Sequence, residues 1–191
     1  MHERSPKSSP MDTLLYEFEM LRHCADTVDA KKMRRDKSEK DKAEYYLGIE
    51  GFLLHFRNVL GFLINKRMRP TDLTINRPDQ WANRQVDEGE HRDLTVRAKE
   101  IDSKHGLEHG GDGTSYQKIS WFLQHCTMYR HQLPRQWDIA AMFADIEPLL
   151  NEFASRFAPA AARAKVASAM LGRESHNTAT VMRGSLLMPH S

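Results

Sequence analysis

The stretch that most constrains the fold is AEYYLGIEGFLLHFRNVLGFLINK, residues 43–66. Its large apolar residues fall on nearly every side of a helical projection, which is typical of a helix buried within a bundle. Glu50, His55, Arg57 and Asn58 interrupt this apolar surface. Because a buried charge is costly unless it is paired, these residues predict a contact surface for another helix or another subunit.

The four polar residues do not lie on one side of the predicted helix. At about 100° per residue, one stripe holds Glu50, Leu54, Arg57 and Gly61, whereas His55 points about 160° away from Arg57. A site that used both His55 and Arg57 would therefore need groups from a second helix or a partner chain. Two interpretations stay open: an interhelix salt bridge of purely structural value, and a role in ligand binding or catalysis.

Composition and charge exclude several classes of protein. The chain has 191 residues, 40% of them hydrophobic and 28% charged, which is typical of one globular domain. The formal net charge is only +2, so the chain as a whole is not the polycation expected of many nucleic-acid-binding proteins. No apolar run approaches the ~20 residues of a membrane span, and the N-terminal residues lack the apolar core of a secretory signal. We therefore expect a cytoplasmic protein without membrane attachment.

The predicted architecture is an all-α, up-and-down bundle of four to five helices. Apolar spacing predicts helices over about residues 12–32, 43–66, 90–104, 116–131 and 137–157. Pro70 and Pro78 predict a long connection after the second helix, and the four glycines of residues 105–115 predict another break. We expect a disordered lead-in over residues 1–10, a helical domain over 11–158, and an Ala-rich segment with a flexible tail over 159–191.

Histidines near the second break raise the question of a metal site. His105 and His109 are four residues apart, Glu108 lies between them, and His91 lies upstream. The glycines disfavour the helix that would place both imidazoles on one face, and no HExxH or paired-cysteine pattern accompanies them. The sequence therefore predicts a flexible polar loop here, with no metal and no other cofactor.

Two segments together carry a resemblance to a known family. They are GIEGFLLHFRNVLGFL in the second predicted helix and KISWFLQHCTMYRHQLPRQWDI, which spans the fourth helix and the start of the fifth. They resemble bacterial helical proteins of the HEPN superfamily (higher eukaryote and prokaryote nucleotide-binding), including the branch associated with abortive phage infection. The resemblance implies an up-and-down bundle that pairs as a homodimer. It also implies RNA, a nucleotide or an antitoxin-like protein as further partners.

For active members, the resemblance implies metal-independent RNA cleavage by an Arg and a His that are separated by four to six residues on a late helix. That spacing occurs only at Arg84 with His91 and at Arg183 with His190, and neither pair lies on a predicted late helix. The first hypothesis is therefore a non-catalytic module that binds a nucleotide, RNA or a protein through the charged stripe. A ribonuclease toxin is the second hypothesis, and a plain dimerisation bundle is the third.

A ribonuclease of this kind would need a base near the 2′-hydroxyl group and a cation near the phosphate. His and Arg can supply these near neutral pH. The candidate catalytic residues come from the second and fourth predicted helices, which would have to be neighbours: Arg57, His125, Arg130 and, orienting Arg57, Glu50. The candidate binding residues lie on or just after the second predicted helix: His55, Asn58, Lys66 and Arg67.

Overall fold

Every regular element that the computed structural model describes is helical. The structure describes residues 9–32, 38–64, 71–82, 84–107, 113–124 and 137–160. In chain order the helices are α1 Pro10–Lys32, α2 Glu39–Leu63, the one-turn α3 Pro78–Trp81, a 3₁₀ helix Glu88–His91, α4 Arg92–Leu107, α5 Ser115–Gln124 and α6 Ile139–Phe157. The all-α prediction is confirmed for these ranges. Residues 1–8 and 161–191, which include most of the predicted lead-in and tail, lie outside them.

Helices α1 and α2 form an antiparallel pair, which is the most extensive helix contact in the molecule. Glu17 is hydrogen-bonded to Asn58, and Cys24 lies against Gly51, so the residue number falls along α1 as it rises along α2. An ideal Cβ atom on Gly51 would lie 2.8 Å from the Cys24 sulfur. The absence of a side chain on Gly51 therefore leaves room for the Cys24 side chain of α1.

The core lies where α2 meets the other helices. Contacts with α1, α4 and α5 surround α2, while α6 packs on α1 and α4. Phe52, Phe56 and Phe153 are fully buried, and Phe153 lies between α2 and the connection that follows it. The ring centroids of Phe153 and Trp81 are 5.3 Å apart, and Trp81 Nε1 donates a hydrogen bond of 2.9 Å to the carbonyl oxygen of Thr74. The connection after α2 is therefore held to the bundle by its tryptophan.

The helix ends follow the local chemistry of the sequence. Ser38 caps α2, because its hydroxyl accepts from the Asp41 amide while the Asp41 carboxylate accepts from Ser38. Asp138 caps α6, because its carboxylate accepts a hydrogen bond from the amide of Ala141. Pro148 lies inside α6, and the helix continues through it from Ile139 to Phe157, as the unbroken apolar stripe predicts.

The prediction of a polar loop at His105 is wrong. Helix α4 continues to Leu107, and His105 is fully buried in its last turn. The reason is close packing, because an ideal Cβ atom on Gly106 would lie only 2.5 Å from the carbonyl oxygen of Gly113. Gly106 thus permits contact between the end of α4 and the start of α5 rather than breaking the helix. Glu108 and His109 lie outside the described residues, among which no group of three or more His, Cys, Asp or Glu side chains could hold a metal ion.

Candidate functional site

A carboxylate from α1 joins the polar residues of α2. The Nδ1 atom of His55 lies 2.8 Å from Oε2 of Glu17, and the amide nitrogen of Asn58 donates to the same oxygen over 3.1 Å. Arg57 donates in turn to the Asn58 side-chain oxygen over 3.2 Å. We call Glu17, His55, Arg57 and Asn58 the Glu17 cluster. His55 contacts Glu17 of α1 directly, and Arg57 is linked to the same carboxylate through Asn58. Helix α1 is therefore the second helix that is needed because His55 and Arg57 point in different directions from α2.

The imidazole of His55 is held from two sides. An ionised carboxylate can only accept hydrogen bonds, so the contact with Glu17 places a proton on Nδ1 of His55 and leaves Nε2 as an acceptor in the neutral ring. The ring of Tyr16 meets the imidazole edge-on, with the centroids 6.1 Å apart. His55 is only 8% exposed, whereas Tyr16 is 52% exposed. His55 is therefore the buried member of the cluster, whereas Glu17, Arg57 and Asn58 are partly exposed.

Beside the Glu17 cluster, α2 carries an exposed face of mixed character. Five residues fall within an arc of about 100° on the helix, and we call them the α2 stripe: Tyr46, Leu47, Glu50, Leu54 and Arg57. The exposed fractions are 56% for Tyr46, 67% for Leu47 and 39% for Leu54. In the part of the chain that the structure describes, three of the five exposed large apolar side chains lie on the α2 stripe. A concentration of exposed apolar surface of this kind marks interaction sites.

The structure places only some of the predicted site residues. Glu50 and Arg57 are partly buried on the α2 stripe, and the hydrogen bond of Arg57 within the described residues goes to Asn58. The orienting role of Glu50 towards Arg57 stays a prediction. Helices α2 and α5 are neighbours, as the cleavage mechanism requires. The other predicted catalytic and binding residues lie outside the described residues: Lys66, Arg67, His125 and Arg130.

Sequence reasoning missed Glu17, which links the other three residues of its cluster. The apolar spacing of α1 gave a weak signal, because Glu17 directly precedes the core residue Phe18 and therefore lies beside the buried stripe. An acidic residue at such a border often pairs with a neighbouring helix. The choice of partner depends on the register between α1 and α2, which the spacing within either helix does not determine.

A second group of polar residues, of which only His105 is buried, joins α4 to α6. His105 Nε2 and the Lys104 ammonium group both contact Oδ2 of Asp145, at 2.7 Å and 2.6 Å. Burial raises the pKa of Asp145, but the hydrogen bonds from Lys104 and His105 outweigh burial, and the pKa lies below its usual value. The ring of Phe56 meets the His105 imidazole edge-on, with the centroids 6.2 Å apart. This group explains how α4 is fixed on α6 and needs no ligand.

None of the helices within the described ranges is both long and apolar enough to cross a bilayer. Comparison of the chain with protein-family models, curated proteins and solved structures found no match. The α2 stripe and the Glu17 cluster are therefore the features from which a function is inferred.

Proposed function

We propose that this chain is a non-catalytic, HEPN-like helical module that binds a protein through the α2 stripe, and that the partner is a second copy of the chain. The observation that carries the proposal is the exposure of Leu47 and Leu54 on the same helix face as Glu50 and Arg57. The resemblance of residues 48–63 to the HEPN superfamily supports it. On that resemblance alone we propose a setting in phage defence or in a toxin–antitoxin system.

The charges on this face favour a protein over RNA or a nucleotide. A phosphate backbone is held chiefly by Lys and Arg, and its affinity depends on how many phosphates they neutralise. Here Arg57 donates to Asn58, whose amide donates to the Glu17 carboxylate, and Glu50 lies two turns before Arg57 on the same face of α2, so this face carries charges of both signs. A face of exposed apolar residues with charges of both signs is typical of protein interfaces.

The order of the charges along the stripe suits pairing with an identical helix. At 1.5 Å per residue, Glu50 lies about 6 Å before Leu54, and Arg57 lies about 4.5 Å after it. A twofold axis close to Leu54 would make the two α2 helices antiparallel and place each Glu50 near the Arg57 of the other copy. Leu54 would then pack near the centre, where burial of apolar surface contributes most.

The mass of the particle in solution tests the proposal. Size-exclusion chromatography with light scattering at about 10–100 µM should give a dimer for the unmodified chain. Leu54→Lys should give a monomer, because an ammonium group would occupy the centre of the interface. The matched control is Val96→Lys, which makes the same change at a 50% exposed site on α4 and should remain dimeric.

Two results would overturn this proposal. One is a monomeric unmodified chain over the whole concentration range, and the other is a Leu54→Lys variant as dimeric as the control. Circular dichroism of both variants establishes that the helices are retained, so that loss of dimer is not mistaken for loss of fold.

One observation favours RNA cleavage as a second candidate function. The Glu17–His55 contact orients an imidazole whose Nε2 can accept a proton, and Asn58 links Arg57 to the same carboxylate. The 8% exposure of His55 leaves little of the ring for a substrate, and this is why binding ranks first. Cleavage of labelled RNA that is lost in the double variant His55→Ala and Arg57→Ala would favour the ribonuclease. The ribonuclease would also be favoured if induced expression of the unmodified chain arrests bacterial growth and expression of the double variant does not.

A further inference from the structure

A cavity of about 330 Å³ lies between the connection after α2 and the start of α4. Its walls come from the loop before α3, from α3, from the segment before the 3₁₀ helix, and from the first turn of α4. The lining residues are Asn76, Pro78, Val86, His91, Arg92 and Thr95. None of them belongs to α1 or α2, so the cavity is separate from the Glu17 cluster and from the α2 stripe.

The cavity contains a buried histidine whose hydrogen-bonding capacity is not fully used. His91 is only 5% exposed, and its Nδ1 atom is shielded from solvent without a hydrogen-bond partner in the described part of the chain. Buried polar atoms are normally paired, and an unpaired one often marks a place where a ligand or an ordered water completes the site. His91 is one of the residues that line the cavity, so a polar group bound there would lie close to this residue.

The other lining residues provide complementary chemistry. Arg92 is exposed at the first position of α4 and forms no hydrogen bond or ion pair with a described side chain. Asn76 adds an amide, and Thr95 adds a hydroxyl oxygen whose proton is directed at the carbonyl oxygen of His91 over 3.4 Å, while Pro78 supplies part of an apolar wall. A guanidinium group with neutral donors around it is suited to an oxyanion, and an apolar wall is suited to the rest of a small organic molecule.

We propose that this cavity binds a small organic anion, namely a carboxylate or a phosphate monoester joined to one apolar ring or short chain. Arg92 pairs with the oxyanion, and His91 and Asn76 hydrogen-bond to it or to a polar group beside it. The volume lies at the lower end of the range found for small-molecule sites, which limits the ligand to about one ring and its charged head.

Isothermal titration calorimetry with phenyl phosphate and with benzoate, at matched chloride concentration, tests the proposal. Saturable binding of phenyl phosphate alone identifies a phosphate site, and binding of benzoate alone identifies a carboxylate site. Binding of both shows a general oxyanion site, and each of these results supports the proposal. Because the Nδ1 atom of His91 has no hydrogen-bond partner among the described residues, we expect the ligand to change its surroundings. The NMR resonances of the His91 imidazole should therefore shift during the titration and saturate with the same dissociation constant.

The decisive variant is Arg92→Gln, which removes the charge from an exposed side chain. We expect it to weaken binding about tenfold, the loss of one charge-assisted contact. Lys99→Gln removes the same charge from an exposed position two turns further along α4 and should leave binding unchanged. The proposal is overturned if neither probe binds, if both variants bind as the unmodified chain does, or if both lose affinity equally.

Discussion

Among single residues of the candidate site, Glu17 makes the hydrogen bonds that join α1 to α2. One oxygen of its carboxylate meets both His55 and Asn58, and Asn58 extends the chain of hydrogen bonds to Arg57. The helical projection of α2 correctly predicts that His55 and Arg57 point in different directions and that a group from another helix must link them. It does not predict Glu17, because long-range packing of α1 sets which of its residues lies opposite position 55.

Replacement of Glu17 tests whether this carboxylate holds the cluster together. In Glu17→Ala the buried His55 and the Asn58 amide lose their acceptor, so the free energy of unfolding should fall by about 1–3 kcal/mol. Urea denaturation at neutral pH measures it. Glu19→Ala is the control, since Glu19 is exposed two residues away and should change stability by less than about 0.5 kcal/mol. Equal losses in the two variants would contradict the assigned role of Glu17.

Among the helices, contact between α1 and α2 decides where the site can form. Gly48 and Gly51 let α1 approach α2 so closely that Thr27, Val28 and Cys24 occupy the space of the missing side chains. The sequence predicts the extents of α1 and α6, because local spacing and capping determine them. It does not predict the burial of His105, since that depends on contact of Gly106 with the start of α5.

The α1–α2 contact can be tested at Gly51. Gly51→Ala should gain about 1 kcal/mol in helix propensity, but its Cβ atom would lie 2.8 Å from the Cys24 sulfur. We expect overpacking to dominate, with a net loss of about 1–2 kcal/mol in the free energy of unfolding. Adding Cys24→Ala removes the sulfur and should recover part of that loss.

A thermodynamic cycle of the two single variants and the double variant measures this coupling. Gly89→Ala is the control substitution, because an added Cβ atom there meets nothing within 4 Å and should cost nothing. Additive effects of Gly51→Ala and Cys24→Ala would show that the two positions are not in contact.

Across the whole molecule, carboxylates that pair with arginines make stability depend on pH. The hydrogen bond from Arg84 lowers the pKa of Glu90 to about 2, and the hydrogen bond from Arg156 lowers the pKa of Asp93. A carboxylate with a lowered pKa in the folded state stabilises the protein when it is ionised. That contribution is complete above the unfolded pKa and disappears as the pH falls through the folded pKa.

The melting temperature should therefore decline as the pH falls from about 4.5 towards about 2. Glu90→Gln should make the decline shallower, because this side chain no longer titrates. Glu100→Gln changes an exposed carboxylate in the middle of α4 and should leave the slope unaltered. Identical pH profiles for Glu90→Gln and the unmodified chain would show that the Arg84–Glu90 pair does not contribute.

The central claim is that two copies of the chain pair through the α2 stripe, and exchange of its charges tests this most directly. Light scattering after size-exclusion chromatography should find Glu50→Arg and Arg57→Glu monomeric as single variants, since each places like charges opposite each other across the interface. The double variant Glu50→Arg with Arg57→Glu restores opposite charges and should be dimeric again. A double variant no more dimeric than the single ones, or single variants that remain fully dimeric, would contradict the claim.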